Sequence, residues 1–188
     1  MKPTRQQAWE LLNEYNQDEY LIKHALSVEG VMAYCARLLG EEDVEKWSII
    51  GLLHDLDYER YPEEHCIKVQ EILREREYEE DYIRAIASHG HGLCVDLPPV
   101  HPMEKLLYAT DELTGLITAC AIMRPSRSVM DLEVKSVLKK FKTANFAAKI
   151  SREIIEQGAV MVGWSLEELI QHTILGMREV ADQIGLAG

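Results

Sequence analysis

The chain has 188 residues, 47% of them hydrophobic and 28% charged, a globular balance that excludes a disordered, fibrous or low-complexity protein and fits about one domain. Its formal net charge of −12 repels phosphate backbones and anionic lipid, which excludes a nucleic-acid duplex and a membrane surface as first partners. Cys35, Cys66, Cys94 and Cys120 form no CxxC pair and read as reduced core residues. The N-terminus has no apolar signal stretch, and the longest nearly apolar run, Leu113 to Met123, is too short to cross a bilayer, so a cytoplasmic location is expected.

Apolar residues recur at three- and four-residue intervals almost throughout, and no period-two alternation is sustained, so the fold class is all-α. Helices are expected over about 4–15, 18–39, 42–56, 63–77, 79–89, 102–123, 131–142, 145–160 and 165–184. Gly40 suits a left-handed C-terminal cap, Pro62 and Pro102 suit first-turn positions, and Ser165 with Glu168 reads as a capping box. Paired glycines and prolines make 90–99 a loop. From Arg124 to Arg152 eight bases stand against two acids, Asp131 and Glu133. That stretch either focuses a small anionic substrate or neutralises acidic neighbours.

The residues that carry chemistry are His24, the adjacent pair His54-Asp55, His65, His89 and Asp111. Each shares a helical face with apolar residues: His24 with Leu21, Val28 and Val31, His54 with Ile50, His65 with Val69 and Ile72, His89 with Ile86, Asp111 with Leu107. A core-facing carboxylate needs a compensating charge, and a divalent metal supplies it. Imidazole with carboxylate suits Fe, Mn, Zn, Co, Ni or Mg, and no thiolate is placed to narrow the choice. Adjacent side chains point about 100° apart on a helix, so His54 and Asp55 meet one ion only near a helix end or from neighbouring walls of a cleft. Asp55 has two oxygens and can bridge two ions, with a shared water left as nucleophile.

The order His24, His54-Asp55, Asp111 resembles the signature of the HD-domain superfamily of metal-dependent phosphohydrolases, and Gly51-Leu52-Leu53-His54-Asp55-Leu56-Asp57 is similar to the stretch around that family's pair. The resemblance covers about residues 18–120 and extends to His65 and His89, which look like the two additional histidines of dinuclear members. It implies an HD-domain helical bundle: a single domain over 1–188, with the HD core at about 18–123 and a C-terminal helical extension at about 124–188. Where members with an HDIGK-type motif carry glycine and lysine, this chain has Asp57 and Tyr58, and the GYP signature of cyclic-di-nucleotide phosphodiesterases is missing.

The activity implied is metal-dependent hydrolysis of a nucleotide or another small phosphorylated metabolite by metal-activated water. His24, His54, Asp55, His65, His89 and Asp111 are the expected ligands of one or two divalent ions. Asp55 is catalytic, and Asp57 and Glu59 either protonate the leaving group, hold the water at second hand, or belong to a solvated acidic loop. Lys105, Arg124, Lys139 and Lys142 are the bases available for phosphate oxygens in place of the motif lysine. Two alternatives stand beside this reading: a di-iron oxygenase of the same superfamily, and a noncatalytic nucleotide-binding sensor. Leu169, Ile174 and Met177 near the C-terminus either cover the core or form a homodimer contact.

Overall fold

A computed structural model describes residues 1–188. Nine helices follow one another: α1 (Arg5–Tyr15), α2 (Glu19–Leu39), α3 (Val44–Leu53), α4 (Lys68–Glu75), α5 (Glu80–Ser88), α6 (Pro102–Ile122), α7 (Val134–Phe141), α8 (Arg152–Val162) and α9 (Leu166–Glu179). There is no strand, only an isolated bridge between His91 and Val95. No helix is long and apolar enough to cross a membrane.

Local chemistry sets most of these limits. Asp18 accepts from the amides of Tyr20 and Leu21 at the start of α2, and Gly40 ends that helix at φ 72, in the left-handed region that glycine enters without steric cost. Pro102 stands in the first turn of α6, where its missing N–H is no loss, and His101 with Glu104 closes a capping box. Ser165 and Glu168 do the same for α9.

Five expected helices are shorter than their apolar spacing suggests; among them, the one expected over 131–142 begins at Val134 and the one expected over 165–184 ends at Glu179. The helix expected over 42–56 ends at Leu53, and the chain continues through successive turns to Tyr61. The one expected over 63–77 begins as a 3-10 turn at Pro62–Glu64 and becomes α-helical only at Lys68, because Cys66 between them takes φ 64. The one expected over 145–160 starts at Arg152, with Ser151 as its cap. Apolar Phe146, Ala147 and Ile150 continue the helical spacing backwards, but the Arg152 guanidinium donates to the carbonyls of Phe141, Phe146, Ala147 and Ile150 and holds that stretch as turns.

The helix α2 lies at the centre, packed on α3, α6 and α9, and α8 lies along α6. One buried apolar cluster takes residues from every helix. Leu169, Ile174 and Met177 are buried within the chain, so α9 covers the core and presents no free apolar face at those positions. Two close crossings depend on glycine. A Cβ at Gly176 would stand 2.6 Å from Val31 Cα, and one at Gly158 would stand 2.4 Å from Ala109 Cα. The latter crossing fixes α6 two residues before Asp111.

Candidate metal centre

Four imidazoles and two carboxylates converge in one cleft from five parts of the chain: His24 on α2, His54-Asp55 at the end of α3, His65 in the turn before α4, His89 at the end of α5, and Asp111 on α6. The adjacent pair stands at a helix end, where the backbone is loosening into turns and neither side chain is bound to the ordinary 100° spacing. His65 differs from the expectation that it lies on a helix face with Val69 and Ile72. It closes the 3-10 turn instead.

Three of the histidines have their ring orientation fixed from behind. His54 Nδ1 donates to the Gly51 carbonyl at 2.8 Å, His89 Nδ1 to that of Ile86 at 2.5 Å, and His65 Nδ1 to Asp57 Oδ1 at 2.8 Å. Each Nε2 is thereby turned inward with its lone pair, the tautomer that a metal requires. Asp57 is wholly buried, and its second oxygen accepts from the Val69 amide at 2.8 Å.

The inward atoms form two groups joined by Asp55. On one side His24 Nε2 is 2.9 Å from Asp111 Oδ1 and 3.2 Å from His54 Nε2, and Asp55 Oδ2 is 3.4 Å from His54 and 3.7 Å from His24. On the other, Asp55 Oδ1 is 3.4 Å from Nε2 of both His65 and His89. Donors held at about 2.0–2.2 Å from one ion stand about 3 to 3.5 Å apart, so these spacings suit a shared cation far better than direct hydrogen bonding between lone pairs. The donor set fits a divalent metal.

A family model for the HD domain matches residues 21–115, half of the chain, and that span holds all six converging residues. The chain belongs to the HD-domain family. Searches among curated proteins and among solved structures returned no match. HD domains are mostly metal-dependent phosphohydrolases, and the His and Asp groups here can hold a metal of that kind.

The electrostatics of this HD core express the same demand for positive charge. With protons as the only cations, burial opposes charge on His54, yet Asp55 and Asp111 outweigh it and lift the ring to about 10. Burial likewise opposes charge on His65, and Asp57 leads in lifting it to about 9. Burial favours neutral Asp55 and Asp111, but His54 beside them holds both well below the usual carboxylate range.

The cleft of about 370 Å³ over these groups is lined also by Tyr20, Leu21, Tyr58, Leu93, Tyr108, Glu112 and Ile154, and by no lysine or arginine. None of the four bases expected to meet phosphate stands there. Lys105 lines a separate cavity with Leu39 and Trp164, about 120° around α6 from Asp111. Arg124 is held by Asp131 at 2.9 Å. Lys139 and Lys142 are exposed on and just after α7. Bases near the site are Lys23 and Arg127, in an adjoining cavity that shares Tyr20 and His24, and Lys149, in another that shares Tyr20, Gly115 and Ile150. Tyr58, at the position of the motif lysine, packs edge-on against His65 with ring centres 5.2 Å apart.

Two expected catalytic carboxylates also stand elsewhere in function. Glu59 accepts from the amides of Gln17 and Asp18 at 2.7 and 3.0 Å, tying down the turn before α2, and Asp57 is committed to His65 and Val69. The carboxyl that faces the cleft is Glu112, whose affinity for a proton is raised by burial and by Asp111. Sequence reasoning passed over Glu112, although it directly follows a candidate ligand. Cys66 was also missed, and it differs from the expectation of a plain core thiol. It is buried beside His89, and although burial opposes ionisation, His89 and His65 bring it down to about 7. Cys94 is exposed rather than buried.

Proposed function

We propose that this HD domain is a metal-dependent phosphohydrolase with two metal subsites, acting on a small metabolite or nucleotide that carries a single phosphoryl group. The observation that carries this reading is Asp55, whose two carboxylate oxygens each face a different pair of imidazoles. His24, His54, Asp111 and one Asp55 oxygen would hold one ion; His65, His89 and the other oxygen would hold the second. Fe, Mn, Zn, Co, Ni or Mg is compatible with nitrogen and oxygen donors. When bound, a pair of such ions supplies a water acidic enough to ionise near neutral pH and a positive field for phosphoryl oxygens.

The rest falls to the chain's own residues. His54, His65 and His89 keep their Nε2 lone pairs aimed at the reacting end through the bonds made by Nδ1. Tyr20, Tyr108, Leu21, Leu93 and Ile154 wrap the body of the substrate and exclude water. Glu112, whose affinity for a proton is raised by burial and by Asp111 against the bond it accepts from the Ser151 amide at 3.2 Å, is the candidate proton donor to the departing oxygen. A cleft without a lysine or arginine suits a phosphomonoester, whereas a triphosphate would place uncompensated charges against its apolar wall.

The test is phosphate release from a panel of phosphomonoesters and nucleoside mono-, di- and triphosphates by chelated protein reloaded with each metal in turn. Metal-dependent release from monoesters, abolished in Asp55→Ala with helical content retained, is expected. No release under any metal overturns the reading. The lack of a cationic phosphate clamp also favours a second reading, oxidation of an organic substrate by O2 at a di-iron site. Turnover that requires both iron and O2 selects it. A retired, purely sensory site has no use for a complete inward-facing donor set, and tight nucleotide binding without turnover under every metal would restore that option.

A further inference from the structure

The HD signature gives Cys66 no part, yet the local fold is arranged around its sulfur. Cys66 is wholly buried and adopts φ 64, a left-handed conformation that a residue with a Cβ enters only under strain. The consequence of that turn is to carry Sγ across to His89, 3.7 Å from Nε2 and 3.9 Å from Nδ1. The residue following His89 is Gly90, and a Cβ there would stand 2.4 Å from the same sulfur, so only glycine leaves room for it. His65, Cys66 and His89 each offer a donor atom, and the three atoms lie within 4.8 Å of one another. Sγ is nearly equidistant from the two ring nitrogens of His89, so sharing an ion with Nε2 requires the thiol to turn about the Cys66 Cα–Cβ bond towards the Nε2 lone pair.

We propose that Cys66 is a thiolate ligand of the metal subsite formed by His65, His89 and Asp55, so that this subsite takes a borderline or thiophilic cation such as Zn2+, Co2+ or Fe2+ in preference to Mg2+ or Mn2+. The inference rests on the two-subsite reading above. On binding, the S–H bond breaks, a sulfur–metal bond forms, and one proton per ion passes to solvent. The other subsite, of His24, His54, Asp111 and Asp55, has only nitrogen and oxygen donors, so the two are chemically unequal. The competing role for the thiol is a plain hydrogen bond to His89.

The experiment is titration of the chelated, reduced full chain with Cd2+ and separately with Co2+, reading sulfur-to-metal charge-transfer absorption in the near ultraviolet and metal content after gel filtration. Two ions per chain are expected, with the charge-transfer band complete at one equivalent. Cys66→Ser should lose the band and weaken one of the two bound ions at least about tenfold, while Cys94→Ser, whose Cβ would stand 3.5 Å from a Cβ at Gly90, should keep both. Cys66→Gly, which adopts φ 64 without strain, serves where the serine variant fails to fold. Two bound ions without a band, or a band that survives both Cys66 variants, overturn the thiolate. A band with a single ion keeps the thiolate and discards the paired subsites. Fewer than two ions and no band overturn both.

Discussion

Asp57 touches no candidate metal position and still decides whether one imidazole is usable. One oxygen takes the His65 Nδ1 proton and the other takes the Val69 amide, so the carboxylate locks both the ring and the first turn of α4. In Asp57→Asn one of these acceptors becomes a donor. Metal affinity of the subsite that contains His65 should fall about 10–100-fold, as measured by calorimetric titration, with far-ultraviolet circular dichroism unchanged. Unaltered affinity would show that His65 needs no such support. The sequence pointed to Asp57 because it follows the pair, but whether it faces substrate or a neighbouring ring is a property of the folded turn. The same limit applies to Glu59, whose partners lie 42 and 41 residues away, and to Cys66, where a single left-handed residue sends the sulfur across to His89.

At the scale of elements, the crossing of α6 and α8 joins packing to the site. Gly158 permits it, since a Cβ would come within 2.4 Å of the Ala109 backbone. Gly158→Ala should therefore destabilise the protein by about 1–3 kcal/mol in urea denaturation, despite the better helix propensity of alanine. The strain should also displace Asp111, on the next half-turn of α6, and lower metal affinity. A neutral or stabilising result would mean that α8 slides without cost. Helices with chemical punctuation were legible in advance: α2 between Asp18 and Gly40, α6 behind Pro102, α9 behind Ser165. Those around 54–67 and 143–151 were not, because apolar spacing continues through turns that are made by side-chain hydrogen bonds to the backbone and by a positive φ.

Over the whole molecule, the site's unbalanced charge links pH to stability. In chelated protein His54 rises from 6.5 to about 10 and His65 from 6.5 to about 9, so their contribution is complete below about pH 6.5 and is lost as pH climbs through those values. Asp55 and Asp111 are lowered from 3.8, so theirs is complete above that value and lost in acid. The Tm of chelated protein should be highest between about pH 4 and 6.5 and fall steadily towards pH 10. Saturating divalent metal should remove the alkaline decline, since the cation takes the place of the protons. A chelated protein with the same Tm at pH 6.5 and pH 9.5 would mean that the imidazoles are not charged in that state. The family and the candidate metal-binding cluster were readable from the chain because ligand chemistry restricts residue type. The substrate was not, because Leu93, Glu112 and Ile154 become neighbours only through the packing of α8 and the loop after α5 against α6. That wall has a further effect. On a protein with a net charge of −12, a cleft lined by no lysine or arginine gives a polyanion no partner there, so under the proposed function polyphosphates and acidic cofactors should be weak competitive inhibitors.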